Sequence, residues 1–359
     1  MLIGIVDTDL LDNGTRHPNL ALMKISAFQK EQGNTTRLVL DYDELKNYDE
    51  VYVSKVFTRT NFPQDILSRP NIHYGGTGFF FDKAPGLPEA IEHHMPDYHL
   101  YDEYVHKEIE RGIKRQHFRD YIDYSIGFAT RGCFRKCNFC VNQKYEKVSR
   151  HSPITEFFDP ERKYIYLWDD NVLGYIRWKD IFAELEETGR RFQFRQGMDM
   201  RLMTEDKASI LTHSKYFGDF IFAFDSLADK PIMEKKLAIW RRYNNKTTKL
   251  YVLCAYDSND VSDIVSIFER IKVLMSYRCI PYIMRYDGWD LTDLRGMYIN
   301  LARWCNQPDF FKKKSFREYC EANGENSATM DYLRSFEAKC PEVGKNYFDL
   351  RYDQVSPCF

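Results

Sequence analysis

The chain has 359 residues, of which 43% are hydrophobic and 29% charged, with a formal net charge of −2. That length suits about two domains, or three small ones, with a sizeable core. The near-neutral balance gives no global electrostatic case for nucleic acid or an anionic membrane and leaves only local basic patches.

The N-terminus, Met1-Leu-Ile-Gly-Ile-Val-Asp, is a short apolar run ended by acids. It has no basic leader, so it reads as a first strand over residues 2–6 and not as a signal peptide. No apolar stretch approaches membrane-spanning length, and the chain reads as cytoplasmic. A helix is expected over residues 20–32, with Leu22, Ile25 and Phe28 on one face and Gly33 past its end. Strands follow over residues 37–40 and 51–57. Ile72-His-Tyr-Gly-Gly-Thr-Gly78 is a strand entering a glycine turn, either a plain tight loop or one approaching a phosphate or cofactor. Residues 82–120 are rich in Pro, His and charge without a clean period, apart from a short polar helix near 107–115. They read as a connection between domains.

From residue 124 the pattern becomes regular. Strands are expected over residues 125–130, 164–168, 192–195, 220–224, 250–253 and 280–284. Between them lie helices: one over 177–187 closed by Gly189, one capped by Thr204, one opened by Pro231, and one with Val261, Ile264, Val265, Phe268 and Ile271 on a face. Such alternation predicts right-handed βαβ units and parallel sheet. Six units are too few for an eight-stranded barrel but suit an open, partial one. The tail from residue 291 is expected to be helical and polar. The organisation expected is an N-terminal α/β domain with linker (1–115), a core (116–290) and a helical extension (291–359).

The chain has nine cysteines, none before Cys133. In a reducing compartment metal ligation or burial is expected of them before disulfides. Three are clustered, in Thr130-Arg-Gly-Cys133-Phe-Arg-Lys-Cys137-Asn-Phe-Cys140. Zinc needs four ligands and usually uses paired elements, and no second pair lies nearby. Plant-type ferredoxin loops use C-x4-C-x2-C, one residue longer. Three close thiolates can instead hold three corners of an iron–sulfur cluster and leave one iron open.

The C-x3-C-x2-C spacing, with Phe139 just before Cys140 and a strand leading in, resembles the signature of the radical S-adenosylmethionine superfamily. The resemblance implies a partial (βα)6 barrel with a small N-terminal Rossmann-like domain. It implies a [4Fe–4S] cluster on Cys133, Cys137 and Cys140, with the amino and carboxylate groups of S-adenosylmethionine on the open iron. Reductive cleavage would give methionine and a 5′-deoxyadenosyl radical, which abstracts a substrate hydrogen. Asp169 and Asp170 stand where family members meet the methionine amine, although the Gly-Gly-Glu form is absent. Phe139 would contact adenine, Arg201 the cofactor carboxylate, and Asp225 and Ser226 the cofactor from the fourth strand. Each also has a plain structural role open to it: loop packing, a surface ion pair, a helix cap.

The positive charges of Arg131, Arg135, Lys136 and Lys144 would suit an acidic electron donor of the flavodoxin or ferredoxin type. The absence of cysteines before Cys133 speaks against the methylthiotransferases. Resemblance to cobalamin-binding members leaves cobalamin open as a further cofactor, and a cobalamin-dependent methyltransferase as an alternative. No D-x-H-x-x-G motif is present. A non-catalytic iron–sulfur or zinc protein is the other alternative. Cys305, Cys320, Cys340 and Cys358 match no cluster spacing, and isolated cysteines are usually small buried apolar residues, so a second cluster is not expected. The substrate class is open, with a peptide or a nucleic acid both compatible with the charged linker and tail.

Overall fold

Leu2–Asp7 forms the first strand, β1, in a computed structural model that describes residues 1–15, 17–258 and 260–359. The chain is α/β and divides into two units, Met1–Gln193 and Phe194–Phe359.

In the first unit β1 is joined by β2 (Thr35–Leu38), β3 (Glu50–Ser54) and β4 (Ile72–Gly75) in a parallel sheet of order β2-β1-β3-β4. Side chains alternate across a strand, and both faces of this one are covered. Ile3 and Ile5 pack with Leu22, Met23 and Ile25 of the helix Leu20–Glu31. Val6, Val51, Val53 and Ile72 pack on the opposite side with Val39, Leu45 and Ile66. Each expected strand of this region is present within a few residues.

The segment expected as a connection is more ordered than its sequence suggests. It forms the helices Glu89–Glu92, Asp102–Glu110 and Arg119–Ile122, and it places Tyr98, Tyr101, Val105, Phe118 and Tyr121 in the same core as Ile3 and Ile5. These aromatics are dispersed over several short elements, so no single period marks them.

The same unit continues with β5 (Tyr124–Gly127), the paired two-residue strands β6 (Thr130–Arg131) and β7 (Ser149–Arg150), then β8 (Tyr164–Leu167) and β9 (Arg191–Phe194). β5, β8 and β9 form a three-stranded sheet in that order, with β5 and β8 parallel. The helix Trp178–Glu187 links β8 to β9, and Gly189 follows it at φ +70°, the left-handed conformation expected past a helix end.

The second unit carries a parallel sheet of order β10-β11-β12, from Phe220–Ala223, Thr248–Cys254 and Ile280–Arg285. Met198 adds a parallel bridge to Phe222. Thr204 caps the helix Glu205–His213 by accepting from the Lys207 amide, and Pro231 stands in the first turn of Lys230–Tyr243. The tail is helical, led by Arg295–Cys305 and Ala328–Lys339. Among the described residues no helix is long and apolar enough to cross a membrane.

Candidate metal and cofactor site

The cysteines lie on an irregular loop that leaves β5 and is tied at its base. Thr130 pairs with Arg150 and Arg131 with Ser149, antiparallel, so the segment between is closed like a hairpin. Gly132 opens it at φ +92°, and a Cβ there would lie 2.5 Å from the Lys147 carbonyl oxygen, so the residue is required to be glycine. Lys136 clasps the far side, donating from Nζ to the carbonyls of Gln143 (2.9 Å) and Tyr145 (2.7 Å) and to Glu146 (2.6 Å).

Three consecutive residues at the exit of β8 hold this loop. Asp169 accepts from the Ala129 amide (3.1 Å), the Thr130 amide (2.6 Å) and the Thr130 hydroxyl (2.6 Å). It is buried, and desolvation pushes its carboxyl up to about 6, with those hydrogen bonds opposing. Asp170 accepts from the Gly132 amide at Oδ2 (2.6 Å) and from Asn142 Nδ2 at Oδ1 (2.8 Å), which clamps the loop just before Cys133 and just after Cys140. Asn171 donates from Nδ2 to Cys133 Sγ at 3.3 Å.

All three thiols are partly exposed. Cys133 also accepts from the Arg135 amide (3.3 Å), and Cys140 from the Asn142 amide (3.4 Å). Burial raises the Cys140 pKa, and the Asn142 amide opposes it; the charges of Cys137, Asp170 and Cys133 raise it further. The donor set fits an iron–sulfur cluster: three thiols on one short loop, with N–H groups aimed at sulfur, as cluster thiolates favour. Among the described residues no three His, Cys, Asp or Glu side chains converge on a single ion position. A cubane puts each thiolate on a different iron and requires no such convergence. Asn171 is 2% exposed, and its Oδ1 is buried without a hydrogen-bond partner. An unmet buried acceptor costs about 1–3 kcal/mol, which a donor on a bound cofactor would relieve.

Asp169 and Asp170, expected to meet the cofactor amine, stand beside the cysteine loop with its amides on their oxygens. Asn171 and Asn142 were not among the expected site residues. Their only signal was position, one residue beyond Asp-Asp and two beyond Cys140. Phe139 lies half-buried in the loop. Of the expected basic surround, Arg131 stacks over the Phe128 ring at 3.9 Å, Lys144 is exposed and Lys136 is engaged in the clasp.

The remaining expected residues belong to the second unit. Arg201 is bound to Asp199 (2.7 Å) and Asp229 (2.9 Å), which makes it an internal ion pair. Ser226 caps the turn Leu227–Asp229 by accepting from the Ala228 amide at 3.3 Å. Asp225 is partly buried, and desolvation pushes its carboxyl up to about 6 against the charges of Arg270 and Arg201. Cys305 and Cys320 have no solvent exposure, Cys340 is intermediate and Cys358 is exposed.

Ligands of open parallel sheets sit where strand order reverses, here between the exits of β1 and β3. The chain's own hydrogen bonds cross that crevice. The Thr8 hydroxyl donates to the Ser54 carbonyl (2.9 Å), and Asp9 accepts from the amides of Val56 (2.7 Å) and Phe57 (3.3 Å) and from the Thr60 hydroxyl. The glycine turn closes over the same place. Gly76 has φ +110°, and a Cβ there would lie 2.2 Å from the Lys55 carbonyl oxygen. Its glycines admit the β3 backbone, as a plain tight loop would.

No family model matches the chain, and no curated protein matches it. Among solved structures it is similar to Streptococcus suis SuiB bound to S-adenosylmethionine, at 12% identity and TM-score 0.38, over 63% of this chain and 65% of that one. A SuiB structure with its precursor peptide SuiA gives 13% identity, TM-score 0.38 and the same coverage. The cobalamin-dependent S-adenosylmethionine radical enzyme OxsB, with aqua-cobalamin and S-adenosylmethionine bound, gives 12% identity and TM-score 0.37, over 99% of this chain and 57% of that one. The chain spans less than two thirds of the length of these proteins. Likenesses at this level set neither its activity nor its substrate.

Proposed function

We propose that the chain is a radical S-adenosylmethionine enzyme, with a [4Fe–4S] cluster on Cys133, Cys137 and Cys140. The observation that supports this most is the bracing of the C-x3-C-x2-C loop by Asp169, Asp170 and Asn171, with N–H donors on the Cys133 and Cys140 sulfurs. When bound, the cluster supplies the electron that cleaves S-adenosylmethionine to methionine and a 5′-deoxyadenosyl radical.

The chain's own residues hold and orient. Asp169 fixes the entry to the loop, Asp170 fixes both ends of the cysteine segment, and the orphaned Oδ1 of Asn171 offers an acceptor to the cofactor's ammonium group. Phe139 would line the adenine side. In this reading residues 116–290 are a partial (βα)6 core that follows an N-terminal domain (1–115) and precedes a helical extension (291–359). Asp225 and Ser226 stand just past β10, at the strand end where the resemblance expects cofactor contacts. Arg201, the residue expected for the cofactor carboxylate, is bound to Asp199 and Asp229. An acidic flavodoxin- or ferredoxin-type donor would approach the loop's basic surface at Arg131, Arg135 and Lys144.

The test is anaerobic reconstitution with iron and sulfide, reduction by dithionite, and assay of 5′-deoxyadenosine. Formation well above a Cys140→Ala control is expected. Equal product from both proteins would overturn the proposal.

A further inference from the structure

We propose that Asn171 is a positioning residue that sets the cluster's reduction potential through its N–H···S bond to Cys133. The proposal rests on the cluster assignment above and extends it to how easily the cluster accepts an electron.

Cys133 receives two N–H donors, the Arg135 amide and Asn171 Nδ2, both at 3.3 Å. The first is backbone and comes with the loop. The second is a side chain delivered from another strand, at a point where Asp169 and Asp170 already fasten the loop. Asn171 has little freedom to leave. It is 2% exposed, its carbonyl accepts from the Gly174 amide at 2.9 Å, and a Cβ at Gly174 would lie 3.4 Å from its Cγ and 2.8 Å from the Phe134 ring. The chemistry also fixes which way the amide faces. An iron-bound thiolate has no proton, so Oδ1 toward sulfur would oppose lone pair to negative charge, whereas Nδ2 toward sulfur donates. The facing that serves sulfur leaves Oδ1 the buried atom without a partner.

Hydrogen bonds to cluster sulfurs withdraw negative charge and favour the reduced state, and they are one of the levers that set cluster potentials. S-Adenosylmethionine cleavage requires a strongly reducing cluster, so the donor governs the poise between a cluster that can be reduced and one that can then reduce its cofactor.

Asn171→Ala removes the donor, and Asn171→Asp keeps the shape while replacing it with negative charge. Both are reconstituted anaerobically beside the wild type, counted for iron, and titrated by EPR without S-adenosylmethionine. At a fixed potential the ratio of reduced to oxidised cluster is expected to fall roughly five- to tenfold in Asn171→Ala. Tenfold corresponds to about 59 mV for one electron. A larger fall is expected in Asn171→Asp. Full iron loading with an unchanged potential in either variant would overturn the proposal. Failure of both variants to load iron would also overturn it, since the amide would then be needed for assembly and not for tuning. A wild type that assembles no cluster would instead overturn the cluster assignment itself.

Discussion

Asp9 and Asp169 are nearly the same device in two places. Each is a buried carboxylate at the exit of a parallel strand, and each accepts from two backbone amides and a threonine hydroxyl of a neighbouring loop. At β1 the device completes the structure. The loop it fastens is held to the strand exit, and the glycine turn packs on the Lys55 backbone. At β8 the device is followed by Asp170 and Asn171, and what they fasten is a loop bearing three partly exposed thiols. The difference lies in what each secured loop presents. At β8 it presents three partly exposed thiols beside the buried Asn171 acceptor.

The largest effect that could break the comparison is at Asp170. Asp170→Ala frees Gly132 and Asn142 together, and iron retained after gel filtration should fall about tenfold relative to wild type while the helical circular dichroism stays unchanged, the order expected when the groups supporting a ligand set are lost. Full iron retention would show that the loop holds its shape without the clamp. Asp9→Ala should do the reverse. It strands three buried or half-buried donors and should lower the unfolding free energy of the first unit by about 3–4 kcal/mol in urea, with iron loading untouched. A stable variant with reduced iron would mean the β1 crevice matters to the metal.

A smaller effect separates burial from function. Asp7 lies at the end of β1 and is 1% exposed. Desolvation pushes its carboxyl up to about 6, and the Tyr101 hydroxyl and Leu10 amide oppose this. The folded chain therefore holds this proton more tightly than the unfolded chain. Its contribution is present below about 3.8 and is lost as pH rises through about 6. Unfolding free energy should decline across that window by at most about 3 kcal/mol on this account. Asp7→Asn should flatten the decline, as followed by urea unfolding at a series of pH values. An unchanged slope would place the titration elsewhere.

Much of the fold was legible. Apolar runs marked the strands of both units, and Thr204 and Gly189 marked helix ends, because caps and periodicity act within a few residues. The cysteine motif was legible for the same reason. What escaped was tertiary. β6 and β7 are two residues each and exist only because the loop between them must close. Tyr98, Tyr101, Val105 and Phe118 fall in the expected connection because their common core is drawn from a turn and several short helices. Asp169 and Asp170 stand out in the sequence as a pair at a strand end, but the amides they accept from lie about 40 residues earlier. Asn171 differs from any other polar residue only in facing Cys133, which no spacing records. The Gly75–Gly78 turn left two readings open because both need glycine, and only the approach of the Lys55 backbone separates them.

The central claim is that the loop carries a cluster with one iron open to S-adenosylmethionine. It is tested most directly by the EPR spectrum of the reconstituted, dithionite-reduced chain before and after S-adenosylmethionine is added. The account predicts a reduced cluster signal whose shape changes on addition, and no such signal in Cys133→Ala. A chain that binds no iron, or a reduced signal indifferent to S-adenosylmethionine, would contradict it.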